Sequence, residues 1–114
     1  MVYSSSGSGD DRRQHRRFLV NGIASLQSGS TILQAELLNV GAGGLLVLTE
    51  AALPDGVAVQ ARFLINNYPL EVVVNGFVAH STESTMGIAF SEEPDGLDEI
   101  ILWLEAGFMA GMLT

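Results

Sequence analysis

"TILQAELLNVGAGGLLVLT", residues 31–49, sets the fold class. Leu33, Ala35 and Leu37 share one parity while Gln34 and Glu36 share the other, the period of two expected of a half-buried strand. "GAGG" interrupts the pattern, and "LLVLT" (45–49) resumes it as an apolar run. Three glycines within "NVGAGG" (39–44) call for a backbone path that side chains would obstruct. No GK[ST] follows and no helix pattern begins, so this is neither a Walker loop nor a dinucleotide-binding turn. The residues leave two readings of it. One is a tight β-turn with a bulge; the other is bare backbone that lets a flat ligand approach closely.

The flanking sequence repeats the strand signal. "FLVNGIASLQ" (18–27) ends at the turn-like "SGS". "LPDG" (53–56) is a proline–glycine turn before "VAVQARFLIN" (57–66), where Val57, Val59, Ala61, Phe63 and Ile65 alternate with Gln60, Arg62 and Asn66. "NNYP" leads into "LEVVVNGFVAHS" (70–81), and "TESTMGIAFS" supplies a sixth strand at about 85–91. Six short strands joined by tight turns read as a small antiparallel barrel or sandwich. The period then changes. Leu97, Ile100, Ile101, Leu104 and Phe108 form one apolar stripe at helical spacing, a helix over about 96–110. Asp95 is its expected N-cap, with Asp98 and Glu99 in the first turn where the dipole favours them; Gly107 and Gly111 weaken its continuation.

Composition narrows the function classes. The chain of 114 residues is long enough for one domain with a core, and 47% hydrophobic against 16% charged residues argues for a globular protein. A net charge of −8 opposes general binding to DNA, RNA or anionic membrane. There is no cysteine, hence no disulfide, thiolate nucleophile or cysteine-ligated zinc. The start "MVYSSSGSGDD" has neither the basic nor the apolar region of a signal peptide, and "IILWLEAGFMAGMLT" is too short and too acidic to insert in a bilayer. A cytoplasmic protein is expected. Residues 1–10 read as a flexible lead, the serine- and glycine-rich part of it indistinguishable from a cloning remnant, and 11–114 as a single domain.

The cations are not scattered. "DDRRQHRRF" (10–18) holds four of the five: Arg12, Arg13, Arg16 and Arg17. From Phe18 onward there are eleven acids against Arg62 alone, and the chain has no lysine. Cations held together on such a background suit an anionic target, and arginine suits phosphate and flat rings.

An arginine cluster before the first strand, then "NxGxxG" one hairpin later, resembles the PilZ family of bacterial receptors for the second messenger cyclic di-GMP. That family carries RxxxR before its first strand and [DN]xSxxG between its second and third. Arg13 and Arg17 match the first motif, Asn39 and Gly44 the second, while "GFVAHS" (76–81) and "MGIAFSE" (86–92) look like its later strands. The resemblance covers about residues 11–106. It implies an all-β fold, a six-stranded antiparallel barrel over about 18–91 with a C-terminal α-helix, and a ligand-binding arm at 12–17. By the same likeness Arg13 and Arg17 contact the nucleotide and Arg12 supports them. Asn39 would bond a guanine edge, while Gly41 and Gly44 keep the loop open to the ring. Arg16 and His80 are secondary candidates, the latter for stacking on guanine. Gly41 stands where the family has serine, and the lost hydroxyl is worth about 0.5–1.5 kcal/mol. The resemblance thus implies a receptor that relays cyclic di-GMP to an unidentified protein effector. The alternative is an adaptor that binds proteins and no nucleotide, as family members lacking the motif do.

The remaining residues suggest no catalysis. His15 and His80 lie far apart, no nucleophile–base pair or metal-ligand spacing appears, and neither enzyme activity nor a cofactor is expected. Glu92, Glu93 and Asp95 read as charges placed by the helix dipole. Trp103, Met109 and Met112 read as helix packing, and the apolar helix end could dock a partner or form a homodimer.

Overall fold

The stretch 31–49 forms the expected hairpin. In the computed structural model, which describes residues 17–109 and the side chains of 17–107, β2 (Thr31–Gly41) turns at Ala42 and Gly43 into β3 (Gly44–Leu48). β1 (Arg17–Ser28) precedes them, and its link to β2 is the two-residue turn Gly29–Ser30. Gly29 has φ +59° there, the first-position glycine that matches a turn to the twist of the strands it joins. β4 (Ala58–Ile65), β5 (Val72–Ser81) and β6 (Thr85–Phe90) complete a closed antiparallel barrel in the order β1-β2-β3-β6-β5-β4. Of the two architectures the strand pattern allowed, the barrel is correct.

Two pairings close the cylinder, β1 with β4 and β3 with β6, and each joins strands distant in sequence. Alternate residues fill the interior, with Leu26, Leu37, Val47, Ala61, Phe63, Val74 and Ile88 all buried. The helix, α1 (Leu97–Met109), packs on this core. Leu97, Ile100 and Leu104 join the buried cluster, and Ile101 and Trp103 pack on it. The Trp103 ring also meets Tyr68, with centroids 5.1 Å apart at 57°. Trp103 therefore packs, as its spacing suggests.

Two expectations for the helix start fail. The residue before Leu97 is Gly96, which occupies the N-cap position in place of Asp95. Glu92 does not serve the helix: its carboxylate accepts bonds from the Asn75 backbone N–H at 3.4 Å and side-chain N–H at 3.3 Å. Phe108 and Met109 side chains, Gly111 and Met112 lie outside what the structure describes.

Candidate functional site

Arg17 is the first residue of β1 and no part of a free arm. It pairs with Gly41 on β2, so its side chain projects from the same face as that of Asn39, two residues earlier. The Arg17 guanidinium Nη1 donates to Asn39 Oδ1 at 3.0 Å. One residue from each sequence motif therefore meets the other. The contact uses one of five guanidinium N–H groups on an exposed residue, and the asparagine amide keeps its two donors beside it.

Asn39 faces outward because the ladder is irregular. Leu37 pairs with Val47 but Asn39 pairs with Leu46, so Leu38 is an extra residue on β2. Strict alternation from Leu33, Ala35 and Leu37 would point Asn39 into the core; the bulge gives that place to the fully buried Val40. β5 repeats the device. Val78 pairs with Ile88 and His80 with Gly87, which makes Ala79 the extra residue and turns His80 out.

The pairings align one outward row across five strands: Leu19, Asn39, Leu46, Gly87 and His80. His80 lies over Gly87, since a Cβ on that glycine would come within 2.6 Å of the imidazole Cε1. Adjacent strands are about 4.8 Å apart, so His80 sits roughly 14 Å along the sheet from Asn39. In the six-stranded ring β5 stands three steps from β2 in either direction, so the pairings do not bring His80 to Asn39. Leu19 and Leu46 supply apolar surface in this row, Leu19 being 85% exposed. Leu19, Leu46 and Gly87 carry no signal of a site in the sequence itself. Only cross-strand register reveals them, although Gly87 belongs to the quoted "MGIAFSE".

The glycine loop is tighter than its sequence suggests. Gly41 ends β2, Gly44 opens β3, and none of Gly41, Gly43 or Gly44 has a positive φ. Gly44 is required for close approach: a Cβ there would collide with the Ile88 carbonyl oxygen on β6. It therefore serves the β3–β6 seam as well as any ligand. Arg12, Arg13, His15 and Arg16 lie outside the described residues. Among those described, Arg62 is the other cation; it meets Glu71 at 3.4 Å on β4 and stands apart from this surface. No group of three potential metal ligands occurs among the described residues, and no helix there is long and apolar enough to cross a membrane.

Solved structures share this barrel. The Bacillus subtilis inhibitor of motility, MotI/DgrA, superposes with a TM-score of 0.70 at 16% identity over 90% of this chain. The chain spans 53% of that protein's length. The PilZ domain of YcgR from Escherichia coli, solved with c-di-GMP, gives a TM-score of 0.63 at 17% identity, covering 88% of this chain and 98% of that one. No curated protein matches in sequence. The PilZ domain model matches residues 11–106, nearly the whole chain, and by that match the protein belongs to the PilZ domain family.

Proposed function

We propose that this PilZ domain binds cyclic di-GMP through Arg12, Arg13 and Arg17 of its N-terminal segment and Asn39, Gly41 and Gly44 of the β2–β3 hairpin, with Arg16 and His80 as further contacts. The observation that carries the reading is the Arg17–Asn39 bond at 3.0 Å, which joins the two halves of the motif on one outward surface. A guanidinium can fork onto guanine O6 and N7 or onto a phosphodiester, and it can stack on the purine face. The Asn39 amide can bond a guanine edge, while the Leu19–Leu46 strip supplies an apolar floor. YcgR's PilZ domain, of the same fold, was solved with this nucleotide.

In this reading the arginine segment wraps the nucleotide and pins it against the barrel. The altered surface then signals to a protein partner in the bacterial cytoplasm. The domain transmits a signal and performs no chemistry. A protein-binding adaptor without nucleotide is the second reading, favoured by Gly41 in place of the motif serine.

Titration calorimetry on the full chain with cyclic di-GMP, GTP and a short oligonucleotide separates these readings. Cyclic di-GMP alone should bind. Arg13→Ala and Arg17→Ala should each weaken it more than tenfold, because charge-assisted bonds are worth about 1.5–3 kcal/mol. Arg62→Ala is the control and should change little, since its exposed ion pair contributes about 0–1 kcal/mol to stability. Parental affinity in both motif variants would refute the site, and no heat with the parent would leave the adaptor.

A further inference from the structure

The barrel is closed, but one strand outruns its neighbour. β2 pairs with β1 along almost its whole length, from Thr31 to Gly41. On its other side it pairs with β3 only from Glu36 to Val40. β3 parts from β2 beyond Leu48, and Thr49 stays on the β6 side. Its backbone N–H bonds Ser84 O at 2.8 Å, and its side chain closes a local turn, with Oγ1 donating to Ala51 O at 3.0 Å. Residues 31–35 of β2 therefore face no strand on that side among the described residues. Counting from the two-residue turn, alternate backbone groups, those of Ile32 and Gln34, point into the gap.

The gap is a groove of about 950 Å³, at the other end of β2 from the Arg17–Asn39 contact. Ile32 (56% exposed) and Leu48 (40% exposed) line it, two of the large hydrophobic residues this surface leaves in water. Glu36, Glu50 and Glu83 also line it, with no cation among the lining residues. A bare strand edge with apolar walls is a template for strand addition, and the carboxylates select what can add. A second copy would bring the same three carboxylates against these, an unfavourable match. A chain with cations at alternate positions would meet opposite charge.

We propose that the β2 edge at residues 31–35 is a strand-addition site for an extended segment of a partner protein, four or five residues long, with Lys or Arg alternating with small apolar residues. Main-chain bonds to Ile32 and Gln34 give affinity; the apolar residues pack inward against Leu33 and Ala35, while the cations on the outward face run their stems along Ile32 and Leu48 to meet Glu36, Glu50 and Glu83. The site shares no residue with the nucleotide surface, so it holds whether or not cyclic di-GMP binds.

The test is backbone NMR on the full chain, titrated with two capped ten-residue peptides, one alternating Lys and Val and the other Glu and Val. The Lys–Val peptide should shift amides 32–35 and 48–51 and slow the exchange of the Ile32 and Gln34 N–H groups, with the Glu–Val peptide inert. In the double variant Glu50→Lys, Glu83→Lys, both exposed sites whose change should leave the fold intact, Lys–Val affinity should fall at least fivefold and the Glu–Val peptide should gain binding. Equal response to both peptides, shifts centred elsewhere, or none at millimolar peptide would overturn the proposal. So would edge amides already protected in the free chain. Protection that rises with protein concentration would assign the edge to a second copy, and protection independent of it to the chain's own segments.

Discussion

At the scale of single residues, Arg17 and Asn39 were legible as candidates because motif order and spacing survive in the sequence. Their contact was not, since it depends on a cross-strand register that no local pattern encodes. The same holds for Leu19, Leu46 and Gly87, which fall into one row only through pairings among four strands. Gly41 offers the sharpest residue-level test. It pairs with Arg17 and its φ lies outside the left-handed region, so serine there avoids the strain of about 1–2 kcal/mol that a left-handed site would impose. Gly41→Ser should place a hydroxyl beside Arg17 and Asn39 and tighten cyclic di-GMP binding by up to about tenfold, with an unchanged melting temperature. Calorimetry paired with thermal melts reads both quantities. Weaker binding at lower stability would mean that the buried position cannot accept a side chain without disturbing the Arg17–Asn39 contact.

At the scale of elements, all six strands and the helix could be read, most from their hydrophobic period and β3 as an apolar run bounded by turn residues. Alternation misleads where an extra residue enters. Leu38 and Ala79 each reverse the facing of the residues after them, so strict parity would have buried Asn39 and His80. Both candidates were found through motif likeness instead. The helix start was missed for a different reason. An aspartate and a glycine both suit an N-cap, and the sequence offers no means of choosing between adjacent Asp95 and Gly96. Two variants test that assignment together with the docking of α1. Asp95→Ala should cost less than about 0.5 kcal/mol, well below the ~1 kcal/mol typical of a lost side-chain cap. Leu104→Ala removes a side chain 2% exposed where helix meets barrel, and should cost about 2–5 kcal/mol. Denaturant unfolding measures both. A large loss in Asp95→Ala would restore aspartate as the cap, and a small one in Leu104→Ala would mean that the helix is only loosely held.

At the scale of the molecule, the pairings that close the barrel join β1 to β4 and β3 to β6, and for that reason the strands alone could not distinguish barrel from sandwich. Charge distribution, by contrast, is a global property legible in the sequence. The described residues carry eleven acids against Arg17 and Arg62, while three more arginines precede them in the chain. A dianionic ligand is attracted by the arginine run and repelled by the acids of the rest. Raising ionic strength from 0.1 M to 1 M shortens the screening length from about 10 Å to about 3 Å and weakens both fields together. Forked and stacked contacts to guanine act within that shorter range. We therefore expect the affinity for cyclic di-GMP to change less than about fivefold across this interval. Four arginines gripping a polyanion by counterion release would instead lose roughly 600-fold, from a slope near −0.7 per contact on a single strand. Calorimetric titrations in stepped potassium chloride distinguish the two. A steep fall, with an oligonucleotide competing effectively at low salt, would make the arginine cluster a general polyanion arm and remove base recognition from its role; a flat profile would require contacts to the guanines themselves.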